Sequence, residues 1–155
     1  MKATVNALKT VLEEMLPALE FMSDAEFSAK PRQDKWSKKE VMGHLVDSAQ
    51  NNLRRFISAQ TEDRPRIIYE QDFWVSANGY QAAGKQDVIT LWRLLNERIC
   101  AVLSVMPPSS YNTLCNTSKG EPQFRTLEWL ATDYVKHLKH HMNQVVPGSY
   151  DVVYP

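Results

Sequence analysis

The chain has 155 residues, of which 43% are hydrophobic and 23% charged, proportions typical of a globular protein in water. Its 18 lysine and arginine residues balance 18 aspartate and glutamate residues, so charge gives no reason to expect nucleic acid or an anionic membrane as a partner. The length predicts one domain over residues 1–155, and no apolar stretch approaches the roughly 20 residues of a membrane span.

The first predicted helix runs from about Ala3 to Met22. Its apolar residues recur at spacings of three and four, which indicates one buried stripe. Two adjacent glutamates within this segment argue against a secretory signal. Pro17 is expected to kink or interrupt the helix, and the capping-box pattern at 23–26 predicts a short helical turn after it.

The second predicted helix begins at Ser37, where a capping box gives the strongest start signal in the chain, and continues to about Ala59. The connection that follows, from about Gln60 to Gln86, is predicted to be a long, irregular crossover. It is rich in aromatic residues, and long loops of this kind are often functional.

The third predicted helix starts near Asp87 and ends at the Pro107-Pro108 stop. The fourth starts at Thr126, a good N-cap, and ends before the Pro147-Gly148 stop. No strand-like alternation is evident between these segments. The sequence therefore predicts an all-α protein, a four-helix bundle with a long crossover between helices 2 and 3.

The two cysteines, Cys100 and Cys115, are widely separated and show no C-x-x-C pairing. Cys100 lies in an apolar helical stretch, where it is most simply a small buried hydrophobic residue. This cysteine usage is typical of a reducing compartment, and we expect a cytoplasmic protein.

Three of the four histidines fall within five positions of the fourth predicted helix. At 100° per residue, His141 lies about 40° from His137, and the apolar stripe of this helix lies between about 20° and 80° on the same count. The two rings therefore continue the stripe toward the core, while His140, at about 300°, is expected to point toward solvent. Side chains at i and i+4 stack on one face and can share an ion.

His44 occupies the same kind of core-facing position on the second helix. Three imidazoles directed into one core predict a divalent metal ion bound by His44, His137 and His141, with a fourth position open to water or substrate. Imidazole suits zinc, nickel, iron(II) and copper alike. The alternative is three hydrogen-bonded core histidines without an ion, although buried unpaired rings cost free energy. Leu138 stands where the H-E-x-x-H motif has its glutamate, so a thermolysin-like mechanism is not supported.

Three segments together match a known pattern: KWSKKEVMGHLVDS at 35–48, YEQDFWV at 69–75 and DYVKHLKHH at 133–141. The first looks like the second-helix signature of the DinB-like proteins, also called the bacillithiol-transferase-like metalloenzyme superfamily. The last resembles the fourth helix of that family, and the middle one is similar to a subgroup of it. The resemblance covers nearly the whole chain, with the same order and spacing of helices.

The resemblance implies a four-helix bundle, usually a homodimer, that holds one divalent metal ion at positions matching His44, His137 and His141. We expect zinc or nickel, with iron or manganese as alternatives. The family includes thiol-dependent S-transferases and isomerases that use a low-molecular-weight thiol such as bacillithiol or mycothiol. A small-molecule substrate is therefore expected.

No residue is required by the pattern to act as the catalytic base. Asp47, Asp72 and Glu70 are weak candidates, and each is alternatively an ordinary packing or loop residue. Asp133 lies one turn before His137 and is either an acceptor that orients that ring or a solvated helix residue. Three aromatic residues of the crossover are candidates for the mouth of the pocket: Tyr69, Phe73 and Trp74.

Three functions remain open. A metal could lower the pKa of a bound thiol for S-transfer, which we favour, or could activate water for hydrolysis. A non-catalytic metal-binding stress-response protein would need a fourth protein ligand, because structural zinc sites are closed, and only a loop carboxylate such as Asp72 is available. The adjacent basic pairs Lys38-Lys39 and Arg54-Arg55 are expected to belong to solvated helix faces. DNA binding is disfavoured by the zero net charge.

Overall fold

The computed structural model describes residues 1–154 and contains α-helices together with one small hairpin. The helices are α1 (Lys2–Phe21), α2 (Asp24–Ser28), α3 (Lys38–Ser58), α4 (Gln71–Asn78), α5 (Lys85–Val105) and α6 (Leu127–Val145). The hairpin pairs β1 (Leu114–Asn116) with β2 (Phe124–Thr126) in antiparallel register. Within residues 1–154, no helix combines the length and the apolar character needed to cross a membrane.

The four long helices, α1, α3, α5 and α6, form the predicted four-helix bundle. Helix α3 packs against α5 and α6, and α1 packs against the same two helices. Large side chains from three of them, including Phe56, Trp92 and Leu138, are fully buried between them. Cys100 is buried in the same core, as the sequence predicted. The fold class is therefore confirmed.

Capping residues determine where α3 and α6 begin, the two helices that carry the predicted histidine ligands. The Ser37 side chain accepts a hydrogen bond from the Glu40 amide at 3.1 Å, and the Glu40 carboxylate accepts one from the Ser37 amide at 2.8 Å. Thr126 caps α6 by accepting from the Trp129 amide at 3.1 Å. Both predicted starts are confirmed, because each cap satisfies amides that the first helical turn leaves unpaired.

Helix α1 runs without interruption through Pro17, contrary to the expected break. The residue lies in the last turns of the helix and faces solvent. The carbonyl that loses its intrahelical partner can therefore bond water, while Met15 and Leu19 remain buried in the bundle. The free energy gained by burying the apolar stripe of α1 therefore exceeds the cost of the hydrogen bond lost at Pro17.

The crossover is less irregular than expected, because α4 and a 3₁₀ turn at Tyr80–Ala82 occupy part of it. Gly79 ends α4 in the left-handed conformation, with φ of 63°. The Tyr80 ring packs directly over Gly43 of α3, where a Cβ would lie only 2.1 Å from the ring. The Lys39 ammonium, also on α3, donates to two carbonyl groups of the crossover.

The β-hairpin was not predicted from the sequence. Each strand has only three residues, too short for a readable alternation of apolar and polar positions. The hairpin also extends to the crossover: the Ile67 amide donates to the Asn116 carbonyl at 3.0 Å, and the Asn116 amide donates to the Pro65 carbonyl at 2.9 Å. These bonds fix the crossover against the end of the bundle next to the histidines.

Candidate metal centre

The three predicted ligands come together between α3 and α6. His44, His137 and His141 each offer a ring nitrogen, and these atoms all lie within 4.8 Å of one another. The Nε2 atoms of His44 and His137 are 3.2 Å apart. His44 is 1% exposed, while the two α6 histidines are half-buried. The helical-face argument therefore placed these side chains correctly relative to one another.

The surroundings keep the three rings neutral. Burial, together with the neighbouring histidines, lowers the pKa of His44 to about 3 and that of His137 to about 2. Burial also lowers the pKa of His141. Neutral imidazole is the form that ligates a metal, so the site requires no proton removal near pH 7.

The donor set fits a divalent ion with open coordination positions. Three nitrogen donors suit zinc, nickel and iron(II), and the Nδ1 atom of His44 is buried without a hydrogen-bond partner. The Nε2 atoms of His44 and His137 face each other, and a hydrogen bond between them requires one ring to donate and the other to accept. Both nitrogens can instead bind one cation through their lone pairs. Among residues 1–154, no Asp, Glu or Cys atom joins this cluster, so no fourth protein ligand closes it.

Two cavities meet at this cluster. The polar cavity, of about 560 Å³, is lined by all three α6 histidines and by residues of α3, the crossover and the hairpin. The larger cavity, of about 900 Å³, lies between the α2–α3 segment and α4 and includes Trp36, whose ring lies 5.4 Å from that of His44. Gln71 and His141 line both cavities. His141 is therefore the member of the cluster that both cavities reach, whereas His44 lines neither.

Asp47 lies in the core rather than in either cavity. Its carboxylate is fully buried, and Oδ1 accepts hydrogen bonds from the Tyr80 hydroxyl at 2.7 Å and from the Asn78 side chain at 3.0 Å. Burial raises the pKa of Asp47 to about 6, even though the Tyr80 bond opposes this rise. This placement favours a role in joining the crossover to α3.

The other candidate residues of the crossover are exposed or partly exposed. Asp72 lines the larger cavity, Glu70 pairs with Lys119 at 2.6 Å on the surface, and Tyr69 lines the polar cavity. Phe73 is 69% exposed, and it is absent from the lining of both cavities, as is Trp74.

Asp133 and His140 differ from the expectations. The Asp133 carboxylate accepts from the Tyr154 hydroxyl at 3.1 Å, and no hydrogen bond joins it to His137 among the described residues. Burial raises the pKa of Asp133. His140 was expected to point to solvent but is half-buried at the rim of the polar cavity, because the Tyr154 ring packs 5.7 Å from it.

Sequence reasoning missed Arg55, which the pattern of adjacent basic residues assigned to a solvated helix face. The side chain is only 9% exposed and lines the polar cavity beside His137. A signal was available: Arg55 follows His44 by eleven residues, about 20° around the helix, and so shares its face. Lys39 was misassigned in the same way and is 7% exposed.

Comparisons with known proteins identify the family of this chain and relatives that are proposed to depend on a metal. The sequence profile of the DinB superfamily matches residues 7–145. YfiT from Bacillus subtilis, proposed to be a metal-dependent hydrolase, is 25% identical over 146 residues, covering 94% of this chain and 82% of that protein. A protein of Geobacillus thermodenitrificans, proposed to have the same activity, is 24% identical over 146 residues, with the same shares covered.

Solved structures give the same picture of the fold. The YfiT structure, described as an unusual four-helix bundle, matches with a TM-score of 0.84, covering 94% of this chain and 83% of that one. A mycothiol-dependent maleylpyruvate isomerase matches with a TM-score of 0.71 at 10% identity, covering 91% of this chain and 59% of that one. At that identity the second likeness concerns the fold alone.

Proposed function

The chain belongs to the DinB superfamily, and we propose that it is a metal-dependent transferase that joins a small thiol to an electrophilic substrate. The observation that carries the proposal is that two cavities adjoin the histidine cluster and share His141. A transfer reaction needs room for two reactants on either side of one activating centre. Hydrolysis needs only one organic substrate and water.

His44, His137 and His141 would hold the ion. When bound, a divalent ion acts as a Lewis acid that lowers the pKa of a coordinated thiol or water, so that a nucleophile is available at neutral pH. The protein contributes neutral rings that need no deprotonation, and the ring of His44 is buried in the bundle core. Zinc or nickel is the expected ion, with iron or manganese as alternatives.

Each cavity would bind one of the two reactants. The larger cavity, walled by Trp36 and Val41, offers apolar surface for the thiol's organic part or for a hydrophobic electrophile. The polar cavity offers hydrogen-bonding groups for the other reactant. Gln71, at the junction, can contact both through its side-chain amide. In the reaction the sulfur–carbon bond forms, the bond to the leaving group breaks with its electron pair, and the thiol proton passes to solvent.

Metal-dependent hydrolysis is the second candidate, because relatives at 24–25% identity are proposed to be hydrolases. The same three histidines would serve, with water in place of the thiol. A purely structural metal site is disfavoured. Asp72, the one loop carboxylate considered as a fourth ligand, does not join the cluster.

Metal content is the first measurement. Elemental analysis of protein purified without chelator or nickel affinity resin should find about one equivalent of metal, and a His137→Ala/His141→Ala variant should hold almost none. His140→Ala is the matched control, since that ring lies on the same helix outside the cluster. Wild-type protein that stays metal-free and takes up no zinc, nickel or manganese on titration would remove the proposal.

The reaction class is tested on the loaded enzyme. Cysteine, glutathione, bacillithiol and mycothiol are each combined with 1-chloro-2,4-dinitrobenzene, while 4-nitrophenyl acetate reports hydrolysis. Metal-dependent thiol consumption with release of chloride supports the transferase. Ester hydrolysis unaffected by any thiol, with no thioether formed, supports the hydrolase. Small-angle scattering of the same sample tests the expected homodimer.

A further inference from the structure

We propose that Arg55 makes the polar cavity an anion-binding subsite, so that the substrate of the metal centre carries a carboxylate or another small oxyanion. This inference rests on the proposed function for its biological meaning, but the binding itself can be measured without metal. It begins from a buried charge that no carboxylate among residues 1–154 contacts directly.

Arg55 is a guanidinium with 9% of its surface exposed, and no ion pair joins it to residues 1–154. No carboxylate oxygen within residues 1–154 comes within 4.0 Å of its nitrogens, although eight other ion pairs are present. Buried charges in proteins are normally paired, because removing an ion from water is costly. An arginine stays charged when buried, so the missing partner is left for a ligand.

The hydrogen bonds of Arg55 leave part of its fork free. Nε and Nη2 both donate to the Ile67 carbonyl, at 3.2 Å and 2.9 Å, and Nη1 donates to the Asn52 side chain at 3.2 Å. These bonds use three of the five N–H groups, all to neutral acceptors. They hold the plane of the guanidinium rigidly, and a rigid fork suits an oxyanion better than a mobile lysine.

The remaining charges of the polar cavity support an anion. Arg125 lies at the rim, stacked 4.8 Å from the Trp129 ring, and adds a second positive charge. Asp133 is the acidic residue of the lining and bonds Tyr154 rather than either arginine. A divalent ion at the nearby histidines would make the cavity more positive still. A substrate could thus place its anionic group at Arg55 and its reacting atom near His137.

A structural role is the alternative, since Arg55 also fixes the Ile67 carbonyl of the crossover. That role requires a hydrogen-bond donor but no anion. The two roles therefore predict different ligand selectivity, even where both predict some loss of stability.

The test compares anions with neutral molecules of the same shape. Benzoate, phenylacetate and hydrogen succinate are titrated by calorimetry beside benzamide, phenylacetamide and succinamide, into chelator-treated and zinc-loaded protein. We expect wild-type protein without metal to prefer at least one acid over its amide by about tenfold or more. Arg55→Gln should abolish that preference while circular dichroism confirms the fold. Arg125→Gln, at the rim, should reduce it about twofold to threefold.

Two further variants keep the test decisive if Arg55→Gln unfolds. Asp133→Asn leaves Arg55 intact and should strengthen anion binding, because it removes a competing negative charge. Arg55→Lys keeps the charge but loses the fork, and should weaken the preference without abolishing it. Equal binding of acids and amides by metal-free wild-type protein overturns the proposal. Acid binding seen only with zinc, and unchanged by Arg55 substitution, assigns the anion to the ion and overturns it as well. Failure of the protein to bind any metal leaves the metal-free result standing and refutes only the proposed function.

Discussion

The contact between Gly43 and Tyr80 provides a sharp test of how the crossover is attached to α3, the helix that carries His44. A Cβ on Gly43 would lie 2.1 Å from Cδ2, 2.3 Å from Cγ and 2.8 Å from Cβ of Tyr80. Cγ and Cβ lie on the axis about which the ring rotates, so a rotation of the ring cannot clear them. Gly43→Ala must therefore displace the Tyr80 backbone, and with it the hydroxyl that donates to Asp47 at 2.7 Å.

The magnitude follows from three contributions. Overpacking of a buried site costs about 1–3 kcal/mol, and loss of a hydrogen bond to a buried carboxylate costs about 1.5–3 kcal/mol. Replacing glycine by alanine inside a helix returns about 1 kcal/mol. We expect Gly43→Ala to lower the free energy of unfolding by about 1.5–5 kcal/mol. Urea unfolding followed by circular dichroism measures it.

A double-mutant cycle separates the clash from any general intolerance of position 43. In a Tyr80→Gly background all three obstructing atoms are gone, so Gly43→Ala should be neutral or stabilising by up to about 1 kcal/mol. Gly120→Ala, where a Cβ would meet nothing within 4 Å, is the control for a harmless glycine substitution. An equal loss of stability from Gly43→Ala in both backgrounds would refute the reasoning.

Three further outcomes are expected. The folded state binds the Asp47 proton more tightly than the unfolded chain, with a pKa of about 6 against 3.8. The contribution of Asp47 to the free energy of unfolding should therefore fall by up to about 3 kcal/mol as the pH rises from 3.8 to about 6. In Asp47→Asn, the free energy of unfolding measured in urea should depend less on pH in this range. Lys39→Met should lower the free energy of unfolding in urea by about 1–3 kcal/mol, because two crossover carbonyls lose their donor. Lys38→Met removes only a surface ion pair and should lower it by less than about 1 kcal/mol, so equal losses would contradict this account. Pro17→Ala should raise the unfolding midpoint, with a gain of about 1–3 kcal/mol from the restored helical hydrogen bond, and a lower midpoint would show that the proline is needed.

The sequence was sufficient to locate the histidine cluster because helical periodicity acts directly on it. His137 and His141 are one turn apart on an apolar stripe, and His44 lies on an apolar face of another long helix. When two such helices pack, their stripes must meet, so the rings come together without any knowledge of the loops. The same periodicity predicted the four long helices of the bundle.

The sequence did not predict the burial of Arg55 and Lys39, because basic residues in a helix usually face water. Their burial depends on carbonyl groups of the crossover that approach α3 from outside the helix. Those carbonyls are placed by α4, the Tyr80 turn and the three-residue strands, none of which has a strong pattern of its own. Tertiary contacts decide such short elements, and a single sequence does not display them.

The separation of the proposed metal ligands along the chain has a consequence for the lifetime of the protein in a cell. His44 and His137 are 93 positions apart, so an ion bound to both closes most of the polypeptide into one loop. A ligand that binds only the folded form lowers the fraction of chains open to proteases, in proportion to its concentration relative to the dissociation constant. Metal supply would then set how much of this protein persists as well as how much is active, and starvation for the ion would remove the protein itself.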